Sequence, residues 1–417
     1  MKKYIYGIDF GTTNSALSIL DTEANTIVKT FNESSILFFI QQQNSSQIAT
    51  FVGQPAIEAY LENGMTGRFM KSIKRILPRT SFVDTKVYTK KYTAADLVTL
   101  ILQYLKDKAD AFIGENITEI ILGRPVVFDE DPAKDKVAQE RLEKAALKAG
   151  FTTISFQMEP IAAAFAYERT LAHDETVLVA DIGGGTSDFT VMKLGPEKYK
   201  NRARKQDIVA QGGIYIGGDS FDSAYMSKAL VPYFGKNVLY ESSPGKMLEV
   251  PGVLFDNITS WEKMNFFNVH KLVRDIERYY IYAAKSEKLM NLRVLVEKNL
   301  GYSLFREIEK TKITLSNTDI SNFHFAKESI DIAETTTIDE YNEIIGGSIG
   351  KIGNYLDGFL AANNIKAAEI DTVFITGGSA QVRALKNLMG EKFGDEKLRS
   401  GDYLNSVSQG LAWSYYN

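Results

Sequence analysis

Ile8-Asp9-Phe10-Gly11-Thr12-Thr13-Asn14-Ser15 and Ala180-Asp181-Ile182-Gly183-Gly184-Gly185-Thr186-Ser187-Asp188 are near-copies, the Asp of the second standing 172 residues after that of the first. Each follows an apolar run, ends it on an Asp, and turns through glycine and threonine. The pair reads as two β-hairpin loops facing one polyanion from opposite sides. Gly11 and Gly183 to Gly185 remove side chains where backbone N–H groups can converge on phosphate oxygens in a concave nest. Thr12, Thr13 and Thr186 add hydroxyl donors at the same places. Asp9, Asp181 and Asp188 would repel bare phosphate. Their presence inside anion-binding loops makes most sense with a divalent cation between carboxylate and phosphate, and Mg²⁺ keeps waters in such sites.

The surroundings of the two loops repeat as well. Tyr4 to Ile8 is a buried strand with Ala16 to Leu20 as its return partner, and Thr176 to Ala180 opens the second half in the same way. An internally duplicated α/β protein is a stronger inference than two unrelated domains. At 417 residues the chain exceeds the usual limit for one hydrophobic core, so at least two domains with a cleft between them are expected. Residues 27–52 carry alternating and β-branched residues around a polar turn at 41–46. Leu97, Ile101, Leu105 and Ala109 space an amphipathic helix over Ala95 to Ala111. Short strands at Ile120 to Leu122 and Thr153 to Phe156 flank a helix over Ala138 to Lys148. Glu159-Pro160 then starts a helix through Tyr167, where a first-turn proline costs little. From Ser220 to about Asp319 the chain is mostly helical, broken at Pro244 to Pro251. Trp261 to Lys288 reads as a solvated helix with aromatic anchors. A helix over Ile349 to Leu360, a strand over Thr372 to Thr376, a tight turn at Gly377-Gly378-Ser379 and a helix from Val382 follow.

Composition narrows the chemistry. Hydrophobic residues at 44% and charged residues at 24% are ordinary for a globular protein, and a net charge of −4 gives no support for nucleic-acid binding. With no cysteine, disulfides, thiolate catalysis and cysteine metal sites are excluded. The three histidines are scattered and show no zinc spacing. No signal-peptide pattern or membrane-length apolar run occurs, so a cytoplasmic protein without membrane or nucleic-acid partners, and monomeric, is expected. Neither the Walker GxxxxGK[ST] nor the GxGxxG spacing is present, so a nucleotide site belongs to another scheme.

Further segments complete a pattern. Glu159-Pro160-Ile161-Ala162-Ala163-Ala164-Phe165-Ala166-Tyr167, Gly217-Gly218-Asp219-Ser220-Phe221-Asp222, Glu309-Lys310-Thr311-Lys312-Ile313-Thr314-Leu315-Ser316 and Gly377-Gly378-Ser379 follow the two loops in order. Together they resemble the heat-shock-70 branch of the actin, sugar-kinase and heat-shock ATPase superfamily over nearly the whole chain, most closely the truncated members that are little more than the ATPase domain. The resemblance implies an actin-like ATPase fold: two duplicated lobes of ribonuclease-H-like architecture around a nucleotide cleft. Lobe I would span 1–170 with an insert at about 35–95, and lobe II 171–417 with a mostly helical insert at about 220–310.

By the same resemblance the cofactors are ATP or ADP with Mg²⁺, and the reaction is slow ATP hydrolysis. Asp9 and Asp181 would hold the hydrated metal. Gly11, Thr12, Thr13, Asn14 and the 183–186 backbone would clamp the phosphates, Lys74 would reach the γ-phosphate, Glu159 would orient the metal's water shell, and Asp188 would position water or take its proton. Gly217, Gly218, Glu309, Lys312, Ser316, Gly377, Gly378 and Ser379 would surround the nucleoside. Ile313 and Gln381 stand where the family has arginines against the base; losing both guanidinium planes implies weaker binding or altered base preference. The sequence ends at Asn417 without a peptide-holding region, so ATP-driven peptide capture by these residues alone is not expected. A nucleotide-switched module for a protein client or partner, a small-molecule kinase and a filament-forming actin relative are the alternatives.

Overall fold

The first loop is the turn of a hairpin. β1 (Tyr4–Phe10) and β2 (Asn14–Asp21) pair antiparallel with Asp9 opposite Ala16, and β3 (Thr26–Ser34) continues the meander. β4 (Glu119–Arg124) and β5 (Thr153–Met158) add parallel strands on the other side of β1, giving the order β5-β4-β1-β2-β3. The computed structural model describes residues 3–42, 46–64, 66–196, 198, 204–260, 264, 269–401 and 405–416.

The second sheet is the same figure drawn again. β6 (Glu175–Ile182), β7 (Ser187–Leu194) and β8 (Ile208–Ile214) form the antiparallel meander, while β9 (Thr372–Thr376) and β10 (Leu398–Ser400) add in parallel, in the order β8-β7-β6-β9-β10. The duplication read from the two loops therefore extends to five strands in each half. β1 and β6 are nearly continuous apolar runs because helices cover both faces of each sheet.

Helices fill equivalent places in the two halves. α1 (Ala94–Ile113) begins on a reciprocal capping box between Thr93 and Asp96, ends at left-handed Gly114, and buries Leu97, Val98, Ile101, Leu102, Leu105 and Ala109. α2 (Pro132–Lys148) links β4 to β5, and α3 (Glu159–Glu168) follows β5. In the second half, α4 (Gly218–Tyr225) and α5 (Gly301–Leu315) precede α6 (Ile338–Ala362), which is capped by Thr337 and Glu340. α7 (Arg383–Phe393) links β9 to β10, and α8 (Ser406–Trp413) follows β10.

Within the mostly helical stretch from Ser220 to Asp319, Leu239–Ser243 and Lys246–Glu249 form a hairpin, with Pro244 and left-handed Gly245 making its turn. A second hairpin, Ile320–Lys327 with Ile330–Thr337, follows α5 and buries Phe323, Phe325, Ile330 and Ile332 by period-two alternation, a signal passed over in the sequence. Residues 43–45 of the expected polar turn, and residues 261–263 and 265–268 of the aromatic and basic stretch, lie outside the described residues.

The halves are tied by an exchange of helices. α3 follows the first sheet but packs on β6 and β7 of the second, whereas α8 follows the second sheet but packs on β1, β2 and β4 of the first. The two helices cross in contact. Ala162, Ala163 and Ala164 are fully buried there, and a Cβ on Gly410 would overlap the carbonyl oxygen of Ala162. Backbones this close leave room only for hydrogen. Gly410→Ala should therefore destabilise the protein by about 2–4 kcal/mol through overpacking. Urea denaturation monitored by circular dichroism checks this, and a loss under about 0.5 kcal/mol would show that the crossing relaxes freely.

Candidate functional site

The hairpin turns of the two sheets meet over a cavity that encloses about 940 Å³, part of it open to solvent. Gly184 and Gly185 of the second loop face Thr13 and Thr12 of the first so closely that a Cβ on Gly184 would lie 2.7 Å from Thr13 Oγ1. Three glycines in succession are what allows the loops to approach. The second loop is itself held from outside: Gly218 and Asp219 donate N–H to the carbonyls of Gly183 and Gly184 at 3.0 and 2.8 Å, and the Ser379 hydroxyl donates to the Gly183 carbonyl at 3.0 Å.

Charge concentrates where β1 and β6 end. Asp9 and Asp181 terminate those strands, Asp188 lies directly across the hairpin from Asp181, and Glu159 starts α3. Lys74 enters from the short turn Ile73–Ile76, aimed by left-handed Ser72, and its Nζ donates to Glu159 Oε1 at 2.7 Å. Lys74, Glu159, Asp181 and Asp188 are all buried. Burial and the neighbouring Glu159 push Asp9 up to about 7, Lys74 offsetting them in part. The same two causes take Asp188 to about 7, although the Val126 N–H, 3.0 Å from its Oδ1, favours the ionised form. Asp181 is raised well above the carboxylate range by burial, Glu159, Asp9 and Asp188. Burial opposes charge on Lys74 too, yet Glu159 and Asp9 outweigh it and hold the ammonium protonated.

At the other end of the cavity α5 supplies Glu309, Lys312 and Ile313. Lys312 pairs with Asp222 at 2.9 Å, and Glu309 accepts from Lys71 Nζ at 3.1 Å. Ile313 is half exposed and presents an apolar face.

Of the residues named from sequence, the cavity is lined by Asp9, Gly11, Thr12, Thr13, Asn14, Lys74, Glu159, Asp181, Gly183, Gly184, Gly185, Thr186, Glu309, Lys312, Ile313, Gly377, Gly378 and Ser379. Five others do not line it. Asp188 sits beneath the second loop, Gly217 and Gly218 buttress that loop, Ser316 turns its hydroxyl to the Lys312 carbonyl, and Gln381 is exposed outside. Sequence reading missed Lys71, Arg75 and Asp219. Arg75 stands 3.6 Å from Asp219 and donates to the Tyr215 hydroxyl at 3.1 Å. The signal for Lys71 and Arg75 was the density of cations around Lys74, which a solvated face would also explain; Asp219 stood within the segment Gly217 to Asp222.

A hydrated divalent cation fits this donor set. Four carboxylates converge with one ammonium, leaving negative charge that burial penalises strongly. Among the described residues no three acidic or histidine side chains form a closed metal cage. A site of few carboxylates and several waters suits Mg²⁺ better than an all-protein cage would.

Two lobes of repeated five-stranded topology, with paired hairpin loops lining the cleft between them, define the actin-like ATPase fold. The family model described as Hsp70 protein matches residues 51–243 and 275–414, and the chain belongs to the Hsp70 family, whose members are chaperone-related ATPases that bind ATP or ADP with Mg²⁺. It is 25% identical over 416 residues to the "Chaperone protein DnaK" of Thermosipho melanesiensis (strain DSM 12029 / CIP 104789 / BI429), covering 99% of this chain and 59% of that protein. The chain thus spans about three fifths of the length of that relative.

The carboxylate cluster predicts a pH dependence. A carboxyl whose folded value lies near 7, against about 4 when unfolded, favours the folded state while protonated. Its contribution is present below about pH 4 and is lost as pH rises through about 7. Asp188→Asn should therefore stabilise the metal-free protein by about 1–3 kcal/mol at pH 8, with no gain at pH 4. Denaturation midpoints at the two pH values check it; an equal effect at both would refute the assignment.

Proposed function

We propose that this chain binds ATP with Mg²⁺ in the cleft and hydrolyses it slowly, as a chaperone-related ATPase built of lobes 1–170 and 171–417. The observation that carries the reading is the cavity in which two glycine-threonine loops, the carboxylates of Asp9 and Asp181 and the Lys74–Glu159 pair converge, with Asp188 beneath the second loop. Asp9 and Asp181 would hold the hydrated metal, which when bound offsets negative charge on the phosphates and the carboxylates together. Thr12, Thr13 and the N–H groups of 184–186 bind phosphate oxygens, the Gly183 N–H being taken by the Thr186 carbonyl at 2.9 Å. Lys74, held by Glu159, opposes the charge that gathers on the transferring phosphoryl group. Asp188, poised near neutrality and fixed by the Val126 N–H, is suited to accept a proton from attacking water.

A second reading is a nucleotide-timed switch that presents a surface to a protein partner. It is favoured by contacts joining the two halves above the cleft: the Tyr60 hydroxyl donates to the Asn299 carbonyl at 3.0 Å, and the rings of Phe69 and Tyr302 lie 4.2 Å apart. Such contacts can open or close with cleft occupancy. No helix among the described residues is long and apolar enough to cross a membrane.

Isothermal calorimetry should show saturable binding of ATP with Mg²⁺, and phosphate release should accompany turnover without any added acceptor. Lys74→Ala and Asp181→Asn should each lower single-turnover hydrolysis about 100-fold or more while weakening nucleotide binding far less. Absence of nucleotide binding by the wild type would overturn the reading, and ADP formation only with an added hydroxyl acceptor would replace hydrolysis by transfer.

A further inference from the structure

The segment Lys71-Ser72-Ile73-Lys74-Arg75 places three cations on three different elements of the site. Lys74 reaches Glu159 at the phosphate end, Arg75 reaches Asp219 beside the second loop, and Lys71 reaches Glu309 on α5 at the nucleoside end. The segment belongs to the insert between β3 and α1, in the first half, whereas Glu309 and Asp219 belong to the second. Left-handed Ser72, whose hydroxyl donates to Asp219 Oδ2 at 3.4 Å, separates Lys71 from Lys74 and allows them to point to opposite ends of the cavity.

Lys71 and Glu309 are well shielded from water, with side chains 12% and 31% exposed. Lys71 engages Glu309 Oε2, while Glu309 also lines the cavity. Lys312, one turn further along α5, donates to Asp222. The hydrogen bond that orients the Glu309 carboxylate therefore comes from the opposite lobe. Burial raises the Glu309 carboxyl, but Lys71 and Lys312 outweigh it and hold the group ionised.

We propose that Lys71 is a positioning residue for the nucleoside: by holding one oxygen of Glu309 from across the cleft, it aims the other at the hydroxyls of the bound ribose. The inference rests on the nucleotide reading of the cavity. It also makes recognition of the sugar depend on lobe closure, because the Glu309 acceptor is set in place only when the two halves meet. Phosphate binding does not pass through this pair.

The test compares ADP with 2′,3′-dideoxy-ADP, which keeps base and phosphates but lacks both sugar hydroxyls. Calorimetry in the presence of Mg²⁺ should show Lys71→Met weakening ADP about tenfold, the scale of one hydrogen bond to a charged group, while changing dideoxy-ADP less than about twofold. Lys71→Arg, which retains a donor and positive charge, should recover most of the ADP affinity. Glu309→Gln should reproduce the selective loss, and the double variant with Lys71→Met should lose no more than Glu309→Gln alone. Equal weakening of both nucleotides would reduce Lys71 to a lobe-closing contact and overturn the proposal. Unchanged ADP affinity in Lys71→Met, with the wild type binding normally, would overturn it while leaving the nucleotide reading intact. Failure of the wild type to bind ADP would overturn both.

Discussion

Buried negative charge at the seam of two sheets is the constraint on which the rest of this structure depends. Asp9, Asp181, Asp188 and Glu159 arrive from two strand ends, a cross-strand position and a helix start, and Lys74 is the ammonium that enters among them. Like charges opposed across a hairpin, as Asp181 and Asp188 are, destabilise a sheet unless something neutralises them. The first hairpin does not repeat that arrangement: Ala16 occupies the position across from Asp9. The duplicated fold has thus become asymmetric at its centre, with one loop carrying a single carboxylate and the other a pair. That asymmetry lets one carboxylate of the pair differ in role from the other two strand-end acids, since Asp188 alone is drawn beneath its loop and bonded to Val126.

Such a cluster is useful only if the two sheets stay in fixed proximity, and the crossed helices provide that. Each lobe lends its terminal helix to the other's sheet, so the halves cannot separate at their base without stripping apolar surface from β1 and β6. Alanines on α3 and Gly410 on α8 let the backbones touch. Away from the crossed helices, long polar and aromatic side chains, Lys71, Arg75, Tyr60 and Tyr302 among them, bridge the halves. A rigid base with side-chain bridges at the mouth is the geometry of hinge closure.

How much of this was legible in the sequence follows from the range of each interaction. The two glycine-threonine hairpin turns were legible because tight backbone turns demand glycine, a requirement met within eight or nine consecutive residues. Strand pairs around them followed from apolar runs. The hairpin at 239–249 was hidden because its strands are exposed and short, and burial supplies no clear alternation there. Ser316 and Gln381 were placed by resemblance alone, and the structure turns one toward its own helix and the other toward solvent. Lys71 was invisible for a different reason. Its partner lies 238 residues away, and nothing local distinguishes a cation that crosses a cleft from one that faces water.

On the proposed nucleotide reading, the cavity divides into a phosphate half and a nucleoside half with different physical bases. Backbone amides and glycine turns set the first, together with a balance of charge carried by Asp9, Asp181, Glu159 and Lys74. The second is made by side chains on α5 meeting a segment of the opposite lobe, with Ile313 offering apolar contact where a guanidinium plane is missing. An aliphatic face packs against any flat ring but distinguishes one poorly from another, because discrimination needs hydrogen bonds whose loss leaves buried partners unpaired. On the same reading, selectivity in this half would fall on the sugar, through the carboxylate of Glu309. Since that carboxylate accepts from Lys71 of the other half, identity of the ligand and closure of the cleft would, on that reading, be read by the same pair of charges.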